Sequence, residues 1–274
     1  MRILYLSWRQ LVLATMALLT CSPLVTASDE PTLTKEQIKQ FLLTAKIVKS
    51  EHTKKGVTEP WRFTLTDGTL THDASFQAID EHRPMMRLAS GQTEMNFIDS
   101  YKYNIAGYQL AELLGLDDIV PVYVERKWKG DAGSLSWWLP VKMDEVERHK
   151  QGLNPPDADA WNNQMHKIRV FDQLVYDNDP NLTNVLISEN WKIWRVDFTR
   201  AFRLSKDLRN PTDLVRCDRK LFEKLKVLDA DDLAAKTKGY LTKDEVKAVM
   251  ARRDKIVAQF QKLISEKGEN EVLY

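Results

Sequence analysis

The chain has 274 residues, 43% of them hydrophobic, and its 40 Lys and Arg stand against 39 Asp and Glu for a net charge of +1. That balance excludes recognition by bulk charge, so neither nucleic acid nor an anionic membrane surface is an expected partner. Two cysteines, Cys21 and Cys217, exclude a disulfide scaffold, and stability must come from a core for which the eight Trp are ample material.

Met1–Gln10 carries Arg2 and Arg9 and no acid, Leu11–Thr20 is an apolar run of ten, and Val25-Thr26-Ala27 is a small-residue cleavage site. This pattern predicts a signal peptide over residues 1–27 and an exported product, periplasmic or extracellular. The apolar run is shorter than the roughly 20 residues a membrane span needs, so no transmembrane segment is expected after cleavage. Cys21 after Leu18-Leu19-Thr20 offers a weaker lipoprotein alternative.

Within an N-terminal segment over 28–39, Thr34 caps a short helix toward Ala45, with Glu36 and Gln37 in its first turn. Ala45–Lys49, Trp61–Leu65 and Ala74–Ile79 are strands, with Thr66-Asp67-Gly68-Thr69 a hairpin turn between the last two. Val120–Trp128 and Ser134–Leu139 form a second hairpin through Lys129–Gly133. Pro155-Pro156 lies in a loop before an amphipathic helix over Trp161–Tyr176. Beyond Phe202 the chain is helical, and Thr242-Lys243-Asp244-Glu245 is a capping box opening a helix to about Ile264. The expected organisation is an N-lobe over 40–139, a C-lobe over 140–264 and a tail over 265–274.

The most informative stretch is Val170–Phe202, VFDQLVYDNDPNLTNVLISENWKIWRVDFTRAF. Asp179 is followed five residues on by Asn184, and Asp197 lies in the apolar run Trp194–Phe198. An amphipathic helix, a polar loop, a hairpin and an Asp at its end form a layout that suits Mg²⁺, which takes hard oxygens and few protein carboxylates. Asp179 is placed to orient or deprotonate a hydroxyl, with Asn184 and Asp197 on the metal. The bland alternative is an Asx-rich turn in which Asp177, Asn178, Asp179 and Asn181 bond their own backbone. An EF-hand loop is excluded, because its Gly and Glu positions hold Leu182 and Ser188. No His and Cys spacing suits zinc.

Asp172, Asp179, Asn184 and Leu186 match the catalytic loop of type II lipid kinases in register, and Val196-Asp197-Phe198 with Ala201-Phe202 is similar to that family's Ile-Asp-x-x-x-Ala-Phe. The chain thus resembles the phosphatidylinositol 3-/4-kinase-like and HipA-like superfamily of atypical kinases, and exported bacterial proteins built on that fold. Asn96–Pro121 resembles the segment from helix C to the next strand. The resemblance covers about residues 40–205, most specifically in the last third. It implies an α+β, two-lobed protein-kinase-like fold with a β-rich N-lobe and a helical C-lobe, using ATP and Mg²⁺. Gly56 then lies in a phosphate-covering loop, and Trp138 falls where the hinge passes the adenine; an ordinary turn and core packing are the respective alternatives. Arg200, Arg203, Arg216 and Arg219 are candidates for an acceptor or phosphate site.

Three positions depart from the pattern, the first being Pro180, which stands where the lipid kinases have Arg. Where active kinases pair a strand Lys with a helix C Glu, this chain has Gln77 and Asn104, and Lys102 or Arg87 are the substitutes at hand. The expected function is an ATP- and Mg²⁺-dependent phosphotransferase, a monomer whose acceptor is an unknown protein, lipid or small molecule. The alternatives are a nucleotide-binding or interaction-only pseudokinase, and a secreted binding protein whose Asx loop is structural.

Overall fold

In a computed structural model of the protein, residues 33–53, 60–88, 91–178 and 181–274 are described, and Thr34–Tyr274 forms one compact unit. Gly56, Asp179 and the signal-peptide segment lie outside the described residues. The first elements are helix α1 (Lys35–Thr44), strands β1 (Lys46–His52), β2 (Trp61–Thr66) and β3 (Thr71–Gln77), the hairpin β4 (Asp80–Arg87) and β5 (Thr93–Ser100), and helix α2 (Tyr101–Leu114). Strands β6 (Tyr123–Trp128), β7 (Asp131–Trp137) and β8 (Val141–Asp144) follow, then helices α3 (Glu145–Gln151) and α4 (Ala158–Val175). A 3-10 turn at Leu182–Asn184 leads into β9 (Val185–Ser188) and β10 (Ile193–Arg195), and the chain closes with α5 (Arg219–Val227), α6 (Ala230–Lys236), α7 (Lys243–Lys267) and α8 (Glu269–Val272).

The N-lobe is a five-stranded sheet in the order β1-β2-β3-β7-β6, with antiparallel neighbours. Because strand side chains alternate faces, the register gives the sheet two unlike surfaces. Phe63, Leu65, Ala74, Phe76 and Leu135 share one face and are almost fully buried. Helix α1 covers that face through Phe41, whose ring meets Trp137 edge-on, and through its last turn, where Leu42 and Ala45 carbonyls accept from Arg126. Thr34 and Gln37 complete a capping box that fixes where α1 begins. The opposite face carries Arg62, Thr64, Asp73, Ser75, Gln77, Ser134 and Ser136. It turns toward α2 and the segment after β10.

The β6–β7 turn is tighter than expected. Lys129 and Gly130 both have positive φ, 52° and 99°, which closes a two-residue turn and starts β7 at Asp131, three residues before the sequence placed it. Gly133 therefore lies inside the strand. A Cβ there would come within 2.6 Å of the Phe76 ring and 2.5 Å of the Gln77 carbonyl oxygen. The β4–β5 hairpin was not foreseen at all. It breaks the segment read as part of helix C, which starts only at Tyr101 behind the Ser100 cap.

In the C-lobe, α4 packs against α7 and β10. Phe171 meets Phe198 edge-on and Phe222 meets Phe260. Helix α7 runs to Lys267, and the expected tail is part of the core: Val272 is fully buried, and Cys217 and Arg219 exchange backbone hydrogen bonds with Val272 and Tyr274. No helix among the described residues is long and apolar enough to cross a membrane.

Gly133→Ala tests the packing of β3 on β7. The backbone carbonyl of Gln77 cannot give way as a flexible side chain can, so the variant is expected to lose about 1–3 kcal/mol in urea unfolding. An unchanged midpoint would refute this register.

Candidate functional site

The site is built where the ends of α4, β9 and β10 meet the cleft face of the N-lobe sheet. The Arg195 side chain is 1% exposed and organises it. Its Nε donates to Asp172 Oδ1 at 2.9 Å, its Nη2 to Asp177 Oδ2, and its Nη1 to the carbonyls of Val196 and, at 3.4 Å, Asp197. One rigid guanidinium thus joins the end of α4, the polar loop and the backbone at Asp197. Burial pushes the Asp172 carboxyl up to about 6, against the pull of Arg195 and with help from the neighbouring Asp177. A charged residue inside the apolar run Trp194–Phe198 was the signal for this role.

Asn184 and Asp197 are brought together through the backbone. Val196 N donates to Asn184 O at 3.0 Å, so the residue before Asp197 is pinned to Asn184. Asp197 has φ +61°, a left-handed conformation that Asp tolerates better than most side chains. Its Oδ1 accepts from Thr199 N at 3.3 Å and Thr199 Oγ1 at 3.0 Å, while its own N–H donates to Tyr123 Oη at 3.4 Å. Oδ2 of Asp197 and the Asn184 side-chain amide make no hydrogen bond among the described residues. Burial pushes the Asp197 carboxyl above its ordinary range. Asp99, near the end of β5, is pushed up by burial first and then by Asp197, and its Oδ1 has no hydrogen-bond partner among the described residues. Among the described residues no cluster of three or more His, Cys, Asp or Glu is close enough to cage a metal ion alone. Free hard oxygens beside an under-neutralised carboxylate do fit Mg²⁺, which takes one or two protein carboxylates and completes its shell with water and phosphate.

Gln77 and Asn104 touch. Asn104, fully buried on α2, donates from Nδ2 to Gln77 Oε1 at 2.6 Å and to Ser134 Oγ at 3.1 Å, and its Oδ1 accepts from Phe198 N at 2.7 Å. The acceptor role toward a backbone N–H fixes which way the amide points. The pair links β3, α2 and the residue after Asp197 with no net charge. Lys102 is not a replacement cation at this spot, because its ammonium is held by Asp80 at 2.7 Å; Arg87 stands exposed on the β4–β5 hairpin.

Trp138 follows β7 and donates its N–H to Asp73 O at 3.1 Å. Its ring lies under the Arg62 guanidinium, 4.5 Å from ring centroid to carbon. Trp137 is on the opposite face, stacked on His72.

The unforeseen hairpin contributes Glu94, which accepts from Asn178 Nδ2 at 3.1 Å, from Arg203 Nη2 at 2.5 Å and from Arg200 Nη2. Two of the four arginines proposed as an acceptor site are therefore tied to one carboxylate. Arg219 pairs with Glu269, and Arg216 lies over the Tyr274 ring. At the loop itself, Asn178 N donates to Arg200 O, and Asn181 Oδ1 accepts from Thr183 N, so both described flanks of residues 179–180 are anchored.

The Asp172 carboxyl carries a sign that can be checked. Its folded pKa, about 6, lies above the roughly 3.9 of an unfolded Asp, so its contribution favours folding below pH 4 and is lost as pH rises to 6. The stability of the wild type relative to Asp172→Asn is expected to fall by on the order of 1–3 kcal/mol between pH 4 and pH 6.5, and to stay level above that, in urea titrations. A profile level from pH 4 to 6.5, with stability lost only below pH 4, would mean that Arg195 holds Asp172 ionised.

Neither a protein-family model nor a curated protein matches the chain. Solved structures do. The chain is similar to hydra Fam20 solved with sugar, at a TM-score of 0.63 and 16% identity over 87% of this chain and 91% of that one. It is similar to a Golgi casein kinase with Mn/ADP bound, at a TM-score of 0.62 and 13% identity over 88% and 79%. It is similar to the Helicobacter pylori proinflammatory kinase CtkA, at a TM-score of 0.50 and 9% identity over 82% and 98%. At these identities the likeness shows the fold alone, and that fold is the atypical kinase-like α+β architecture.

Proposed function

We propose that the protein is a kinase-like phosphotransferase that takes a metal–nucleotide in the cleft between its lobes. Asn184 and Asp197 hold Mg²⁺, and Asp179 orients the acceptor hydroxyl. The carrying observation is the Val196–Asn184 hydrogen bond, which sets two side chains with free oxygens on adjacent segments beside a carboxylate that burial leaves short of positive charge. Held by Asn184 and Asp197, the metal would supply positive charge that offsets the charge of a bound phosphate. Asp179 suits its role by its spacing, five residues before Asn184 in the motif. The ADP and manganese held by the similar Golgi casein kinase support the nucleotide and divalent-metal parts of this reading. The motif register around Asp172–Leu186 supports placement with the lipid-kinase-like and HipA-like group, and the basic and apolar leader supports export. The acceptor is a protein, lipid or small molecule.

A second reading is a nucleotide-binding pseudokinase, and the Gln77–Asn104 contact favours it. A neutral amide pair holds α2 in place but puts no positive charge on the phosphates. Turnover of ATP with Mg²⁺ separates the two readings, and weak transfer on generic acceptors is expected.

Asp197→Asn is expected to abolish Mg²⁺-dependent nucleotide binding while the fold persists, because the variant loses the carboxylate nearest the ion. Unchanged Mg·ATP affinity by calorimetry, alongside an intact circular dichroism spectrum, would remove Asp197 from the metal.

Gln77→Lys and Asn104→Glu together probe the amide pair. Each alone leaves a charge at a largely buried site without its partner. Made together they should couple by about 1 kcal/mol or more in nucleotide affinity. Simple additivity in a double-mutant cycle would mean that the two positions do not act as a unit on the nucleotide.

A further inference from the structure

The cleft face of the sheet has an unusual roof beside Trp138. A site that takes an aromatic base offers it apolar side chains or an open ring face. Here the register of β2 on β3 puts Arg62 opposite Ser75 and Thr64 opposite Asp73 on that face. Arg62 donates from Nε to Asp73 Oδ2 at 2.8 Å and again from Nη2 to the same oxygen, and Thr64 Oγ1 donates to Asp73 Oδ1 at 2.7 Å. Asp73 thus holds the guanidinium over the Trp138 indole. The backbone tightens the arrangement, since Trp138 N–H donates to Asp73 O. Three side chains from two strands and the connection between lobes are locked into a single polar unit. Its charges are mutually satisfied, so it gains nothing from leaving unless a ligand replaces both the stacking and the ion pair.

Resting on the nucleotide reading above, we propose that Arg62 closes the base slot at Trp138, so that the phosphate donor is selected through its phosphates and metal and its base goes unread. The donor class is then any nucleoside triphosphate, or an inorganic polyphosphate of matching length. The position of Gln77, two residues along β3 from Ser75, keeps the phosphate end of the cleft separate from the plugged end.

Two arms of one titration experiment on the full chain keep this inference apart from the reading it rests on. In the first arm the probe is adenosine, which carries no phosphate and needs no metal. Wild type is expected not to bind it at concentrations up to about 1 mM, whereas Arg62→Ala binds it, and Arg62→Ala with Trp138→Leu loses it again. Arg62→Lys should resemble alanine, because an ammonium lacks the planar face that covers the indole. In the second arm the probes are ATP, GTP, CTP and inorganic tripolyphosphate, each with Mg²⁺. Wild type should bind all four within about threefold, and Arg62→Ala should gain about tenfold for ATP over tripolyphosphate. Adenosine bound by the wild type, or by neither wild type nor Arg62→Ala, overturns the closed slot. So does a wild type that prefers one base by well over tenfold. Failure of every magnesium complex to bind any variant would instead overturn the nucleotide reading, and the adenosine arm still decides the role of Arg62.

Discussion

Everything at the cleft depends on where the Arg195 guanidinium sits. Removing a cation from water is costly, and the cost is offset only when its donors find charged or carbonyl oxygens in good geometry. Asp172, Asp177 and the carbonyls of Val196 and Asp197 supply them. The arrangement is mutual. Asp177 has a side chain only 1% exposed, and the guanidinium offsets its buried charge. The same contacts therefore hold the polar loop against β10 and set the backbone from which the Asp197 side chain projects. Arg252 repeats the device one layer deeper. It donates to Leu174 O and Arg203 O at 2.8 and 2.9 Å, tying α7 to the end of α4 and to the chain beyond Asp197.

Asn104 plays the corresponding part on the N-lobe side. Its three hydrogen bonds satisfy a buried amide and link β3, β7 and the Phe198 backbone. A carboxylate at this position can accept from Phe198 N–H but cannot donate to Ser134 or Gln77. The amide pair is thus a self-consistent solution to holding α2, and Gly107 lets that helix come close, since a Cβ there would meet the Phe198 ring at 2.9 Å. At Asn104 the position of α2 is secured by packing and neutral hydrogen bonds, while Lys102 and Glu112 pair with Asp80 and with Lys39 and Lys236 at other points of the helix.

How much of this was legible in the sequence follows from which signals are local. Helix α4, the polar loop and the β9–β10 hairpin stood out because their periodicities and turn residues lie within a few positions of one another, and the capping boxes at Thr34 and Thr242 marked helix starts for the same reason. The α+β kinase-like fold came from the resemblance, and the solved structures bear it out. The β4–β5 hairpin was invisible because most of β4 is exposed on both faces, which erases the alternation that announces a strand, and Pro84 argued against one. Glu94, Asp99 and Arg62 escaped notice because their roles are set by partners brought close only by the fold: Glu94 meets Arg203 across 109 positions, and Arg62 meets Asp73 through cross-strand register. The tail was misread because Val272 and Leu273 are too few to show a period, yet both are buried.

The balance of charge around the cleft follows from the same contacts and bears on the order in which ligands can enter. Arg62 is committed to Asp73, Lys102 to Asp80, Arg195 to Asp172 and Asp177, and both Arg200 and Arg203 to Glu94. None of these cations is left in surplus. Asp197 and Asp99, by contrast, are carboxylates that burial disfavours as anions, and Asp197 pushes Asp99 further up. A polyanionic phosphate approaching such a surface meets like charge. A divalent cation meets the opposite, and by neutralising Asp197 it converts the same surface into one that attracts phosphate. In kinases with a strand Lys, part of that attraction is built into the protein before any metal arrives. On the proposed reading Gln77 withholds it, so the ion would carry that part of the affinity for phosphate, and phosphate and metal are expected to bind as one unit.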